Sequence, residues 1–192
     1  MIIIDGPAEL SGELTIQGAK NSTLPLLAAA LLCKGQTVLH NCPDLSDVDT
    51  ALRILEHAGC RCKREGHDLI VDSAVTQCEI PEELMRSMRS SIVFLGAMIS
   101  RCGSARLCAP GGCELGPRPI DLHLSSLRRL GVDIEETGGW LNCSAPHGVE
   151  GAYVSLAFPS VGATENLILA AVCGKGTTII ANAAREPEIS DL

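Results

Sequence analysis

From Leu24 to Cys33 the chain is apolar on every face (LPLLAAALLC), while just upstream, in ELTIQ at 13–17, apolar and polar residues alternate strictly. The first pattern predicts a helix over 21–33 buried on all sides, and the second a half-buried strand. Pro25 is expected in the first turn of that helix, where proline is tolerated, and Gly35 ends it. A β-rich segment follows at 37–39. An amphipathic helix then runs from Val48 to Ala58 behind Ser46 and Asp47 as caps. A hairpin closes the run: CRCK, a turn at Glu65–Gly66, then DLIV. The order is β-α-β-α-β-β.

The same grammar returns. CKGQTVLHN at 33–41 echoes GKGTTIIAN at 174–182, with Lys34 and Lys175, Gly35 and Gly176, Thr37 and Thr178, and Asn41 and Asn182 each 141 residues apart. A fainter middle copy overlays 48–60 on 120–132 at a spacing of 72, matching Asp49 with Asp121, Leu52 with Leu124, Leu55 with Leu127 and Gly59 with Gly131. A period near 70 is too long for a common solenoid. It fits a supersecondary unit repeated about a pseudo-symmetry axis. Unit two is expected to have a helix within 81–101, a strand near 105–108, a helix at 120–130 and a hairpin around Thr137-Gly138-Gly139. Unit three begins at YVSLAF, has its first helix over 163–173, and stops where its second helix should start. A unit without its last helix and hairpin leaves apolar surface uncovered.

Composition narrows the function classes. The 192 residues are 46% hydrophobic but only 2% aromatic, and the net charge is −8. So acidic a chain lacks the basic field that nucleic acid or anionic membrane requires, so neither is an expected partner. The first residues have no basic region, and the longest apolar run is too short to span a bilayer. The expected location is cytoplasmic. Ten cysteines there argue for reduced thiols; without a Cys-x-x-Cys pair no metal is expected, and with neither a Gly-x-Gly-x-x-Gly nor a Walker loop no cofactor is expected. Cys33, Cys108, Cys173 and the hairpin cysteines read as buried and structural.

Candidate chemistry gathers at helix starts, whose free N–H groups and dipole favour anions. GAKNS at 18–22, SVGAT at 160–164 and, more loosely, SMRSS at 87–91 occupy such positions. Lys20, Asn21 and Arg89 there suit a phosphate or carboxylate, although Lys20 alone also reads as a surface charge, and Arg86 and Arg89 as a solvated helix face. Arg118, between two prolines in GPRPID, reads equally as a guanidinium clamp and as a simple helix entry with Asp121 in its first turn. The five histidines have no paired ligand spacing and read as structural or surface. Cys113, in PGGCELG, differs from the other cysteines: its glycines describe an exposed loop, where a thiol can serve as proton donor or nucleophile.

GAKN, MRSS, PGGC…GPRPIDLH, SVGAT and NAAREPEI, in this order and nearly spanning the chain, resemble the UDP-N-acetylglucosamine 1-carboxyvinyltransferases, enolpyruvyl transferases of peptidoglycan synthesis. The resemblance implies an α/β fold, an inside-out α/β barrel of two domains, each built from three β-α-β-α-β-β units, in chains more than twice this length. Residues 1–17 would then be opening strands of the other domain. Residues 18–192 would hold two complete units and a truncated third. The implied reaction transfers enolpyruvyl from phosphoenolpyruvate to the 3′-hydroxyl of UDP-N-acetylglucosamine and releases phosphate. The C-terminal half of the same enzyme would be a required partner, and the 192 residues alone would be inactive. Lys20 and Asn21 would meet phosphoenolpyruvate. Arg89, Arg118, Pro119, Ile120, Asp121, Leu122, Phe158, Pro159, Ser160 and Val161 would meet the nucleotide sugar. Cys113 would protonate the methylene carbon and react with epoxides such as fosfomycin. Phe158 departs from members that carry lysine there. Two alternatives stand beside this reading. One is a non-catalytic nucleotide-sugar-binding fragment. The other is a relative of the shikimate-pathway enolpyruvyl transferase, whose lysine motif and lack of this loop cysteine fit less well.

Overall fold

A computed structural model describes residues 2–7, 9–111 and 119–192; Cys113 and Arg118 lie outside them. Unit one comprises α1 (Lys20–Ala30), β1 (Gly35–Leu39), α2 (Ser46–His57), β2 (Arg61–Glu65) and β3 (Asp68–Ser73). Unit two comprises α3 (Glu82–Ser87), a 3-10 segment (Arg89–Val93), α4 (Phe94–Cys102), β4 (Ser104–Cys108), α5 (Asp121–Arg129), β5 (Asp133–Thr137) and β6 (Trp140–Ser144). Unit three has β7 (Tyr153–Ser155), α6 (Val161–Ala171), β8 (Ile179–Ala181) and α7 (Pro187–Asp191).

The repeat is real in three dimensions. Units one and two form antiparallel sheets of identical topology, β1-β3-β2 and β4-β6-β5. Asn41 and Asn182, matched at the 141-residue spacing, both have φ 55°, a left-handed turn that asparagine tolerates better than most residues. Helices occupy the middle. α4 packs on α6, and α1 packs on α2, α4 and α6, burying Leu27, Leu31, Phe94, Leu95, Met98, Leu167 and Leu169. The outer faces of the sheets alternate toward solvent, as in β2. The α4–α6 approach depends on Gly96, since a Cβ there would lie 2.3 Å from the backbone oxygen of Asn166.

Several expectations need correction. Residues 13–17 form no strand; Leu14 and Ile16 are among the most exposed apolar side chains. Units two and three explain why this matters. There a segment ahead of the first helix pairs in parallel with the next strand: Glu79 with Arg106, and β7 with β8. No such neighbour lies on β1 among the described residues. α2 begins one residue after its N-cap Leu45, so Ser46 and Asp47 fall in the first turn and neither caps it. Pro25 is the sixth residue of α1, in its second turn; lacking an N–H, it leaves the Asn21 carbonyl without its i+4 partner. The region 81–101 holds two helices with a 3-10 segment between them. Cys33 and Cys173 are exposed, because each lies just past the end of a central helix. The thiols are not all reduced: Cys78 and Cys102 form a disulfide, brought together where the Glu79–Arg106 bridge lays residue 78 beside the end of α4. Cys60, Cys108 and Cys143 are buried as expected, and Cys62 partly so; Cys42 is buried as well.

Candidate active site

A cavity of about 370 Å³ opens among the starts of α1, the 3-10 segment and α6, with α5 and α7 at its sides. Ser160 caps α6: its Oγ accepts the Ala163 N–H at 3.3 Å, and its carbonyl accepts the Thr164 hydroxyl at 2.8 Å. α1 starts at Ala19 with no side-chain cap. Two helix starts and Arg89 therefore line one space, and helix starts favour an anion.

Of the residues expected from sequence, Asn21, Arg89, Ser160 and Val161 meet in this cavity. Lys20, the first residue of α1, does not line it; its ammonium pairs with Asp47 at 2.8 Å, so the first turn of α2 orients it. Ile120 and Leu122 pack partly buried against the core. Pro119 and Asp121 are exposed, and none of these four reaches the cavity. Phe158 is exposed, and Pro159 lines a separate depression with Arg185 and Glu186. The expectations for Cys113 and Arg118 fall on residues outside those described.

Three cavity residues escaped the sequence reading: His123, Glu165 and Glu188. His123, expected to be structural or surface, is buried at the wall. Burial drives its pKa down to about 4, against a weaker upward pull from Asp121, so the ring is neutral at pH 7. Glu165 is 5% exposed; burial first, and the Glu188 carboxylate second, push its pKa up to about 7. One signal was available for it. Glu165 is the only charged residue in VGATENLILAA, and a single charge in an apolar helix asks for a reason. Burial likewise raises the thiols of Cys62, to about 12, and Cys143, to about 11, leaving both unreactive.

No group of His, Cys, Asp and Glu among the described residues could hold a metal ion, and none of the described helices is long and apolar enough to cross a membrane.

Fold and cleft together define an α/β protein of repeated units, helices inside and sheets outside, with a helix-start cavity suited to an anion. Residues 4–192 match the family described as EPSP synthase (3-phosphoshikimate 1-carboxyvinyltransferase), and the chain belongs to this enolpyruvyl transferase family. It is 53% identical over 190 residues to UDP-N-acetylglucosamine 1-carboxyvinyltransferase 2 of Caldanaerobacter subterraneus subsp. tengcongensis, covering 98% of this chain and 45% of that one. It is 46% identical to UDP-N-acetylglucosamine 1-carboxyvinyltransferase 1 of Symbiobacterium thermophilum, covering 99% and 44%. Among solved structures it is similar to the enolpyruvyl transferase NikO from Streptomyces tendae, with a TM-score of 0.84, 26% identity, and coverage of 97% of this chain and 44% of that one. The expected inside-out α/β fold is thus borne out. The chain spans about half the length of the curated relatives it matches.

Proposed function

We propose that this chain is the nucleotide-sugar-binding part of a UDP-N-acetylglucosamine 1-carboxyvinyltransferase, completed by a second half. The observation that carries this reading is the convergence of Asn21, Arg89, Ser160 and Val161, drawn from three units, on one cavity. Names of relatives up to 53% identical support it. In the proposed reaction the Cys113 thiol gives its proton to the methylene carbon of phosphoenolpyruvate, and the sugar 3′-oxygen bonds to the neighbouring carbon, losing its own proton to a base. Departure of inorganic phosphate, with loss of one methyl proton, restores the double bond. Lys20, oriented by Asp47, and Asn21 hold the phosphoenolpyruvate anion. Arg89, Arg118 to Leu122, and Phe158 to Val161 hold the nucleotide sugar.

The need for a second half has a physical argument in residues 2–17. At the 141-residue spacing, Tyr153, Val154, Ser155 and Leu156 correspond to Gly12, Glu13, Leu14 and Thr15. Val154 and Leu156 are buried, but Glu13 and Thr15 are polar. Pairing this arm locally on β1 would drive Glu13 and Thr15 inward and turn Leu14 and Ile16 to solvent, the consequence of a one-residue mismatch in a period-2 element. The arm belongs in another sheet, and residues 18–192 form the lobe that remains. A groove of about 530 Å³ beside the open edge of β1 is then contact surface for the second half. The cytoplasmic assignment follows from this function.

The test joins residues 1–192 to the complementary part of the Caldanaerobacter relative. Phosphate release from phosphoenolpyruvate plus UDP-N-acetylglucosamine is expected from the chimera and not from the 192 residues alone. A chimera that binds the nucleotide sugar without turnover would favour the non-catalytic alternative, and turnover with shikimate 3-phosphate the other. In the chimera, Arg118→Ala should weaken nucleotide-sugar binding about ten- to a hundredfold, the loss expected for a charge-assisted hydrogen bond. Cys113→Ser should abolish turnover, because an alcohol is too weak an acid, while Cys113→Asp keeps some activity. Fosfomycin should mark the Cys113 peptide alone, although exposed Cys33 and Cys173 will also take a general alkylating reagent.

A further inference from the structure

We infer that Asn166 is a positioning residue that holds His123 as a neutral imidazole with its proton on Nε2, presented to the cavity as a hydrogen-bond donor for an oxygen atom of the bound ligand. Asn166 lies on α6 and is completely buried. Its Oδ1 accepts the Gly96 N–H at 2.6 Å, and its Nδ2 donates to the Ile92 carbonyl at 2.9 Å. These are the two backbone groups that a continuous α-helix would bond to each other, across the junction of the 3-10 segment and α4. The amide has only one orientation there. Turned over, it would set NH₂ against N–H and oxygen against oxygen.

Among the described residues, the acceptor for the second hydrogen of Nδ2 is His123 Nδ1, at 2.8 Å. A nitrogen that accepts carries no proton, so the proton of the neutral ring sits on Nε2. That edge of the ring meets the cavity: a Cβ on Gly162 would lie 3.1 Å from His123 Cε1 and 3.4 Å from Nε2, and Gly162 and His123 both line it. A side chain at residue 162 would therefore crowd the ring. Protonating Nδ1 would press N–H against NH₂, and burial opposes the charge as well. Arg89 from the 3-10 segment, Glu165 from α6 and Glu188 from α7 share this cavity, with Asp121 on the ring's own helix. His123 is therefore a donor whose state does not change through neutral pH, beside a carboxyl group, Glu165, whose state does. One buried amide ties the Arg89 segment, α5 and α6 into a single wall. The acceptor is a phosphate or carbonyl oxygen of the sugar nucleotide, a point that rests on the proposed function above.

The experiment is long-range ¹⁵N–¹H NMR of the imidazole in the 192-residue chain, with no ligand needed. From about pH 5 upward Nε2 should show the protonated shift and Nδ1 the unprotonated one. A proton on Nδ1, fast exchange between tautomers, or titration at the ordinary histidine pKa would overturn the inference. A double-mutant cycle on UDP-N-acetylglucosamine binding in the chimera supplies the second readout. Asn166→Asp, which draws a proton to Nδ1, should weaken binding about tenfold, but less than twofold further in a His123→Gln background. Equal losses in both backgrounds would reduce Asn166 to a packing role. If the unsubstituted chimera does not bind the nucleotide sugar, the proposed function fails while the tautomer result stands.

Discussion

α1 and α6 hold equivalent places in units one and three and face each other across the cavity, yet they are built from opposite materials. At the spacing of 141, Leu24 and Pro25 of α1 correspond to Glu165 and Asn166 of α6. Leu24, Pro25 and Glu165 line the cavity, and Asn166 lies just behind it. One wall is thus apolar and stiff; the other carries a buried carboxyl group and a buried amide. Ser160 caps α6, while Ala19, in nearly the same extended conformation, leaves α1 uncapped. The repeat preserves the backbone and the helix-start positions but not the chemistry on them. A threefold scaffold has become a one-sided site.

The comparison breaks most sharply at Asn166. Asn166→Leu should orphan the Gly96 N–H and the Ile92 carbonyl, together costing roughly 3–5 kcal/mol, whereas Pro25→Ala on the opposite wall should not destabilise by more than about 1 kcal/mol, because the alanine N–H restores the partner that the Asn21 carbonyl lacks. Urea unfolding of the two variants decides it. Similar losses would mean that the two helices carry load alike.

Next comes pH. Glu165 has its folded pKa raised from 4.5 to about 7, so the folded state holds the extra proton between those values. Stability falls as pH rises through that window, by on the order of 3 kcal/mol. His123 has its folded pKa lowered from 6.5 to about 4, so in that window the unfolded state holds the extra proton. Its contribution rises with pH by a similar amount. The two nearly cancel between pH 4.5 and 6.5. Glu165→Gln should unmask a stability that climbs with pH, and His123→Gln one that declines. A flat profile in either variant would refute the corresponding assignment.

Gly96→Ala tests the close approach of α4 to α6, which α1 does not share. Its Cβ would meet the Asn166 backbone oxygen, and overpacking of this kind costs roughly 1–3 kcal/mol. An unchanged melting temperature would show that the helices can separate freely.

The smallest effects lie at the caps. Ser160→Ala should cost about 1 kcal/mol, and Ala19→Ser should recover up to that amount in α1. Lys20→Ala removes only an exposed ion pair with Asp47, worth at most about 1 kcal/mol, yet in the chimera it should lose most turnover. A stability loss as large as the Asn166 variant's would recast Lys20 as structural.

Much of the scaffold was legible because it is written in local patterns. The all-round apolar stretch placed α1, the Gly59–Gly131 and Asn41–Asn182 matches marked recurring turns, and two hairpins fell where turn residues bracket alternating strands. Alternation in ELTIQ misled, because period 2 says that a segment prefers to be a strand and nothing about which sheet receives it. The cysteines misled at Cys33 and Cys173, where helix ends overrode the residue type's preference for burial. Of the site, the helix-start residues Asn21, Arg89, Ser160 and Val161 could be picked out from their positions alone. His123 could not, since a lone histidine in a helix looks the same whether it faces solvent or a cavity.

By itself, then, the sequence determined the repeated units, the central helices and the cavity's anion-favouring helix starts, all consequences of short-range periodicity and capping. Tertiary structure alone decided that Asp47 would hold Lys20, that Cys78 would reach Cys102, and that Glu165 and Glu188 would share a cavity. It also set the proton of His123, through an amide 43 residues away in sequence. Protonation states depend on burial and on partners, and both exist only once distant segments are packed together.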